Sequence, residues 1–322
     1  MNKGSEFILK ALRKTYAKVM RVPPLPKPVC EHDPDVASQI IYDKLAGNEP
    51  CMIARFGSTE LSAMINYLGV KKNDRNILRY ISGKSTDWWW SENIINQMRD
   101  WSGFFPSTIR KIEEFGKLMM EDIKEIDILA SWRPEEALFF DEIGKSDKVL
   151  FELLNPYFSK TPWTVALKGK RILVVHPFAY QIEKQYEKRL LLFDNHQILP
   201  EFNLSTIKAV QSLGGENVAF KDWFDALNWM KQQIDNVDYD ICLIGCGAYG
   251  LPLAAHVKRT GKKAVHIGGA LQLLFGIKGK RWENPNYNSK YNYSKLMNSY
   301  WVYPDESTKP KNAKMVEGAC YW

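Results

Sequence analysis

Residues 240 to 267 read DICLIGCGAYGLPLAAHVKRTGKKAVHI, and this stretch indicates the fold class. The run ICLI is short, continuous and apolar, which is typical of a strand buried on both faces of a parallel sheet. A glycine-rich turn follows, and a helix is predicted from Leu251 to Arg259 with Gly261 as its stop signal. A second apolar run, AVHI, comes next. Strand, glycine turn, helix and strand in this order predict a parallel β-α-β unit.

The same order of elements recurs along the rest of the chain. We therefore predict an α/β fold with a Rossmann-like parallel sheet and helices on both faces. The predicted strands are 51–56 (CMIARF), 127–131, 171–176 (RILVVH), 207–211, 240–244 and 264–267. The predicted helices are 59–68, 134–143, 177–193, 221–234 and 251–259, and residues 86–123 are expected to be mostly helical, with breaks near Gly103 and Pro106.

The two ends of the chain differ from this pattern. Residues 7–21, FILKALRKTYAKVMR, predict a basic amphipathic helix, and PPLPKP at 23–28 predicts a stiff linker. The helix either docks on its own core or lies on an anionic membrane. We expect three parts: 1–30 with the helix and linker, 31–282 as the α/β catalytic domain, and 283–322 as an extended C-terminal tail packed on that domain.

Composition limits the partner classes. Lys plus Arg total 44 against 37 for Asp plus Glu, and this excess of +7 suits an anionic partner without reaching a nucleic-acid signature. No apolar run is long enough to span a bilayer. The five cysteines are odd in number and lack zinc or redox spacing. A cytoplasmic chain is expected, located at the inner face of the membrane if the N-terminal helix binds lipid; the oligomeric state is left open.

The first candidate site follows the strand at 51–56. Arg55 lies near the end of an apolar strand, where an unpartnered charge is costly. Gly57 permits close approach of a ligand, and the helix that starts at Ser58 offers free N–H groups to an anion. Glu60 could accept a hydroxyl proton or hold a cation. A structural salt bridge for Arg55 and a capping role for Glu60 are the alternative.

Two further candidate sites follow later strands. His176 ends the strand at 171–176, and Lys184 and Arg189 come after it as possible diphosphate contacts. The turn GCGAYG matches the G-x-G-x-x-G pattern through Gly245, Gly247 and Gly250, with Tyr249 inside it.

A dinucleotide site also requires an acidic residue at the end of the next strand. That strand instead ends at His266 and is followed by Gly268. The turn therefore favours a nucleotide-phosphate or sugar-phosphate contact over NAD. Further on, Gln272 is a polar residue in an apolar helix and a candidate for substrate binding. Lys278, Lys280 and Arg281 form a basic cluster beside Trp282, which is either a diphosphate clamp or a solvated basic loop.

Several of these segments resemble one family. RFGSTEL at 55–61 resembles the Arg-aromatic-Gly-Asp-x-Glu signature of bacterial GT-D-fold glycosyltransferases. GKRILVVHPF at 169–178, QYEKR at 185–189, the GCGAYG turn and VEGACYW at 316–322 are similar to polysaccharide-biosynthesis members of that group.

The resemblance implies transfer of a sugar from a nucleotide-sugar donor, a UDP-sugar above all, to a surface polysaccharide or a lipid-linked glycan. It also implies a divalent cation, typically Mn²⁺, held by the Asp-x-Glu pair. Glu60 matches the Glu and Arg55 the Arg, but Ser58 stands at the Asp position, so one hard oxygen ligand is lost. Glu60 and His176 are the two candidates for a catalytic base.

Two other functions remain open from the residues. Ser58 makes a non-catalytic nucleotide- or glycan-binding protein plausible. The glycine turn keeps an NAD(P)-dependent oxidoreductase as a second alternative.

Overall fold

The computed structural model describes residues 1–212, 219–310, 313 and 320–322. Within these ranges seven strands form one sheet in the order β3-β2-β1-β7-β6-β4-β5, and every neighbouring pair is parallel. The strands are β1 Cys51–Ala54, β2 Ile128–Ser131, β3 Asp147–Leu150, β4 Arg171–His176, β5 Asn203–Lys208, β6 Ile241–Ile244 and β7 Lys263–His266.

The helices cover both faces of the sheet. They are α1 Lys3–Val19, α2 Pro34–Ala46, α3 Ser58–Lys72, α4 Ile77–Ile81, α5 Glu92–Asp100, α6 Ile109–Asp122, α7 Phe140–Ile143, α8 Ala179–Tyr186, α9 Arg189–Leu192, α10 Trp223–Asp235, α11 Gly250–Arg259, α12 Leu271–Leu274 and α13 Lys280–Glu283. In the described part of the chain, none of these helices is both long and apolar enough to cross a membrane.

Two hydrophobic cores lie on opposite faces of the sheet because successive strand residues point to opposite sides. Met52 and Ala54 of β1 join the core formed with α3, α6, α10 and α11. Cys51 and Ile53 join the core formed with α2, α8 and α12. All four residues are buried, which explains the continuous apolar run in this strand.

The crossovers determine where a ligand can enter. After β1 and β6 the chain passes to α3 and α11 on one face, whereas after β4 and β7 it passes to α8 and α12 on the other. Since the four strands are neighbours in the order β1-β7-β6-β4, adjacent connections diverge. A crevice therefore opens beyond their carboxyl ends.

The predicted α/β parallel sheet is confirmed, and some element boundaries need correction. The strand predicted at 207–211 lies at Asn203–Lys208, since this edge strand alternates exposed and covered residues and lacks a long apolar run. The strand Asp147–Leu150 was not predicted, because it is short and two of its four residues are charged. The segment predicted as a helix at 134–143 begins as a 3-10 turn, Pro134–Phe139.

The segment after α13 packs against α8 and α9. The Trp301 indole N–H donates to the carbonyl of Leu192 at 3.0 Å, and the Gln181 amide donates to the carbonyl of Tyr303 at 2.6 Å. Of the VEGACYW segment at 316–322, residues 316–319 lie outside the described residues. Residues 320–322 pack beside the crevice.

Candidate active site at the carboxyl edge of the sheet

A cavity of about 530 Å³ occupies the crevice. Its volume lies within the range of small-molecule sites, roughly 300–1,000 Å³. The turns after β1, β4, β6 and β7 supply much of its wall. The predicted site residues in its lining are Arg55, Gly57, Ser58, Glu60, His176, Gly245, Gly247, Tyr249, His266, Gln272 and Arg281.

Arg55 is placed in this wall by the end of β1. Its Nη1 donates to the carbonyl of Phe56 at 3.0 Å, and its guanidinium lies over the Phe151 ring, 5.7 Å from the centroid. Its Nε is buried without a hydrogen-bond partner among the described residues. A buried N–H on a cation is costly unless a ligand supplies an acceptor. Arg55 is therefore suited to bind an anion.

Glu60 lies in the first turn of α3, three residues after the N-cap Gly57. Its side chain folds back over Gly57, so that a Cβ at residue 57 would overlap the carboxylate. Within the described ranges no side chain pairs with this carboxylate, and it is only partly covered. Glu60 can therefore accept a proton or hydrogen bond from a ligand. Ser58, at the first position of the same helix, is exposed at the cavity mouth.

His176 is the last residue of β4 and is buried. Its Nδ1 accepts a hydrogen bond from the backbone N–H of Phe178 at 3.0 Å, which places the remaining ring proton on Nε2. Burial lowers the pKa of His176 to about 3. The ring is therefore neutral near pH 7 and has a donor, rather than an acceptor, left to offer.

His266 ends β7, the strand between β1 and β6. Burial, with a smaller contribution from the Arg55 guanidinium, lowers the pKa of His266 to about 3. Its Nδ1 has no hydrogen-bond partner in the part of the chain described. Gly250 lies against the ring, where any side chain would overlap it. This explains the third glycine of the GCGAYG turn.

The GCGAYG turn lines the cavity with backbone. Gly247 has φ +58°, a conformation that favours glycine, and Gly245 is so close to His176 and Leu271 that a Cβ would clash. Tyr249 packs inward, its ring stacked on Trp223 at 4.9 Å with an interplanar angle of 6°. The backbone of the GCGAYG turn, and not the Tyr249 hydroxyl, is thus best placed to contact a ligand.

A second cavity of about 230 Å³ adjoins the first. Arg55 and Arg281 line both cavities, so they stand where the two meet. The Arg281 guanidinium lies over the Tyr321 ring, 4.7 Å from its centroid, and its Nη2 contacts the Cys320 sulfur. Aromatic rings dominate the smaller cavity; its side chains include Trp132, Phe151, Glu152, Asn155, Tyr287, Asn288, Tyr293 and Tyr321. We call it the aromatic lobe.

Three basic side chains that were predicted to bind the substrate line neither cavity. Lys184 lies over the Tyr180 ring at 4.2 Å, and Lys278 over the Tyr303 ring at 5.0 Å. Arg189 pairs with Glu201 at 3.4 Å. The structure gives each of them a surface or packing contact instead of a place in the site.

Two other predicted residues support the site. Gly268, with φ +76°, lies against the Arg55 guanidinium and leaves no room for a side chain. Gln272 is buried and lines the larger cavity, and its amide nitrogen donates to the carbonyls of Lys278 at 2.6 Å and Tyr321 at 3.2 Å. The hydrogen bond from Gln272 thus holds the backbone of Tyr321 at the cavity wall.

Sequence reasoning missed several lining residues. Trp132 follows β2 directly, and its indole N–H donates to the carbonyl of Phe56 at 3.2 Å. The rule that ligands bind beyond carboxyl strand ends would have identified it. Phe151 follows β3, a strand that was not predicted, and Trp322 lies in the VEGACYW segment, to which the resemblance assigned no role. Of the three, Tyr287 alone follows neither a strand end nor a motif.

The side chains that line the larger cavity do not supply enough ligands to hold a divalent cation by themselves. Glu60 is the one carboxylate lining the larger cavity among the described residues. Those residues contain no group of three or more His, Cys, Asp or Glu side chains placed to hold a metal ion. A divalent cation would need most of its ligands from substrate and water.

Comparison of the chain with protein-family models, with curated proteins and with solved structures finds no match.

Proposed function

We propose that this chain is a glycosyltransferase that moves a sugar from a nucleotide-sugar donor, with UDP-sugars as the favoured class, to a glycan acceptor. One observation carries the proposal: two adjoining cavities meet at Arg55 and Arg281, with the Glu60 carboxylate in the larger one. A donor of this class has a base, a diphosphate and a sugar in line. The aromatic lobe suits the flat base, and the arginines suit the diphosphate.

The arginines address the main electrostatic demand of the reaction. When the bond between the anomeric carbon and the diphosphate oxygen breaks, the electron pair leaves with the diphosphate. Arg55 and Arg281 are fixed donors for this charge, and the backbone of residues 246–248 adds N–H groups. We therefore expect turnover without added divalent cation, although the resemblance implies Mn²⁺.

Glu60 is the better candidate for the base. It would take the proton of the acceptor hydroxyl while that oxygen attacks the anomeric carbon. The Nδ1 of His176 is engaged by Phe178, so His176 serves better as a neutral Nε2–H donor to the substrate. With no second carboxylate in the described lining of the larger cavity, a single displacement with inversion is favoured.

Thermal denaturation with a panel of nucleotides, nucleotide sugars and NAD(P), with and without manganese, tests the donor class. A ligand at 100 times its dissociation constant should raise the unfolding free energy by about 2.7 kcal/mol. Stabilisation by UDP compounds, weakened in Arg55→Ala but not in the exposed control Arg110→Ala, is expected. A response to NAD(P) alone would support the oxidoreductase, and no response to any nucleotide would contradict the proposal.

Release of UDP from the stabilising donor, with glycan acceptors supplied, tests catalysis. Glu60→Gln should bind the donor normally and lose at least about 100-fold in turnover, because it removes the base. Glu49→Gln, at an exposed glutamate, is the matched control. Donor binding without turnover in the unaltered chain would instead support a non-catalytic binding protein.

A further inference from the structure

One face of the N-terminal helix docks on the rest of the chain. Leu9 is buried against Tyr80 and Trp89. Arg13 donates to the carbonyl of Ser85 at 2.9 Å and lies over the Tyr80 ring at 4.8 Å. These contacts fix the rotation of α1 about its axis. They therefore determine which of its side chains face the domain and which face away from it.

The main apolar side chains of α1 are not on the docked face. At about 100° per residue, Ile8, Leu12 and Val19 fall on one line, roughly 60 to 100° around the axis from Leu9. We call these three residues the apolar ridge. All three are exposed, Val19 to 71 %, and Phe7, exposed to 73 %, lies on the outward face, about 160° around the axis from Leu9. Exposed apolar residues that form a continuous line indicate an interaction surface.

Basic side chains lie on the face of α1 that points away from the domain. At about 100° per residue, Lys18 lies about 180° and Lys14 about 140° around the axis from Leu9, and both are exposed without an ion-pair partner among the described residues. The adjacent helix α4 exposes Leu78 to 78 % and carries Arg79 beside it. An outward face with two cations and an apolar ridge along one side is complementary to a surface that is apolar inside and anionic at its boundary.

We propose that α1 binds the surface of a bilayer containing anionic lipids. The apolar ridge enters the boundary between headgroups and acyl chains, and Lys14 and Lys18 lie among the lipid phosphates. The docked face explains why the helix lies flat on such a surface instead of entering it end-on: Leu9 and Arg13 remain attached to the domain. This inference rests on surface contacts alone and does not depend on the transferase proposal.

Vesicle co-sedimentation of the full chain tests the inference. We expect binding to phosphatidylcholine vesicles that contain about one-third phosphatidylglycerol, weak binding to pure phosphatidylcholine, and weakening by salt. The triple variant Ile8→Gln, Leu12→Gln, Val19→Gln should abolish binding. The double variant Lys14→Gln, Lys18→Gln should weaken it roughly 30-fold, since each lysine near an anionic surface contributes about fivefold.

Matched controls separate this surface from general charge attraction. Lys145→Gln with Lys168→Gln removes the same charge elsewhere, and Leu190→Gln removes an exposed apolar residue elsewhere. Both controls should bind as the unaltered chain does, and all variants should keep its melting temperature because the altered side chains are exposed.

Two results would overturn the proposal. One is vesicle binding that is absent, or that the triple variant leaves intact. The other is concentration-dependent self-association that the triple variant abolishes while no vesicle binding occurs, which would assign the ridge to a second copy of the chain.

Discussion

Gly57 and Gly268 show how single glycines make room for the charged groups of the candidate site. Each lies where a Cβ would overlap a neighbour: the Glu60 carboxylate at Gly57, and the Arg55 guanidinium at Gly268. Their backbones differ, however. Gly268 has φ +76°, which any other residue adopts only with strain, whereas Gly57 has φ −74° and could hold an alanine. Gly57 therefore offers a way to disturb Glu60 without disturbing the fold.

If the chain has the proposed transferase activity, Gly57→Ala is predicted to reduce it with only a small loss of stability. The new methyl group pushes the Glu60 carboxylate from its place, and misplacement by about 1 Å can cost up to about 100-fold in rate. The unfolding free energy should fall by only about 1 kcal/mol, because Ala is less favourable than Gly at a helix N-cap. Urea unfolding and UDP release measure the two effects. Gly4→Ala in the exposed first turn of α1 is the control, and equal transfer rates in both variants would contradict the prediction.

Adjacent strands β4 and β6 are joined at their amino ends by an ion pair. Arg171 begins β4, and its Nη2 donates to Asp240 Oδ1 at 2.6 Å, while the Arg171 backbone N–H donates to Asp240 Oδ2 at 2.8 Å. The hydrogen bonds from Arg171 lower the pKa of Asp240 to about 2. This contact sets where β4 and β6 begin relative to each other, at the sheet edge opposite the cavity.

Asp240→Asn is predicted to lower the unfolding free energy at pH 7 by about 1 kcal/mol, a modest value because the pair is partly exposed. The folded pKa lies below the unfolded value of about 3.9, so this stabilisation is present above pH 4 and is lost as the pH falls toward 2. Urea unfolding at pH 7 and near pH 3 measures it. Asp194→Asn, at an exposed residue, should change neither value; an equal loss in both variants would refute the role of the pair.

The whole sheet buries two histidines at the floor of its crevice. His176 ends β4 and His266 ends β7, and the divergent crossovers leave the ends of these strands facing the cavity while the helices on both faces exclude water. Burial keeps both rings neutral, with the pKa of each lowered to about 3. In the unfolded chain both rings would titrate near pH 6.5.

The fold is therefore predicted to lose stability as the pH falls below 6.5. The unfolded state binds protons there that the folded state does not, so each histidine lowers the unfolding free energy by about 1.4 kcal/mol at pH 5.5, roughly 3 kcal/mol together. Urea unfolding at pH 7.5 and 5.5 measures the loss. His176→Asn should reduce it by about half, whereas the exposed control His196→Asn should leave it unchanged. A loss of the same size in His176→Asn would contradict the prediction.

Hydrophobic patterning was sufficient to predict the parallel sheet and the edge at which the candidate site lies. β4 was expected at 171–176 and is found at Arg171–His176, because a buried strand needs a continuous apolar run that is visible locally. Arg55, Glu60, His176 and His266 could be nominated because each stands at or just after a predicted strand end. Both inferences use interactions between residues that are near one another in the chain.

Long-range packing determined the rest of the site. Lys184, Arg189 and Lys278 were as plausible as Arg281 from sequence, but of these four residues only Arg281 lines the cavity. The second cavity is lined by residues from 55 to 321, which no periodicity connects. Such contacts depend on how layers stack across the sheet, so the energy that selects them is shared among residues far apart in sequence and leaves no local pattern.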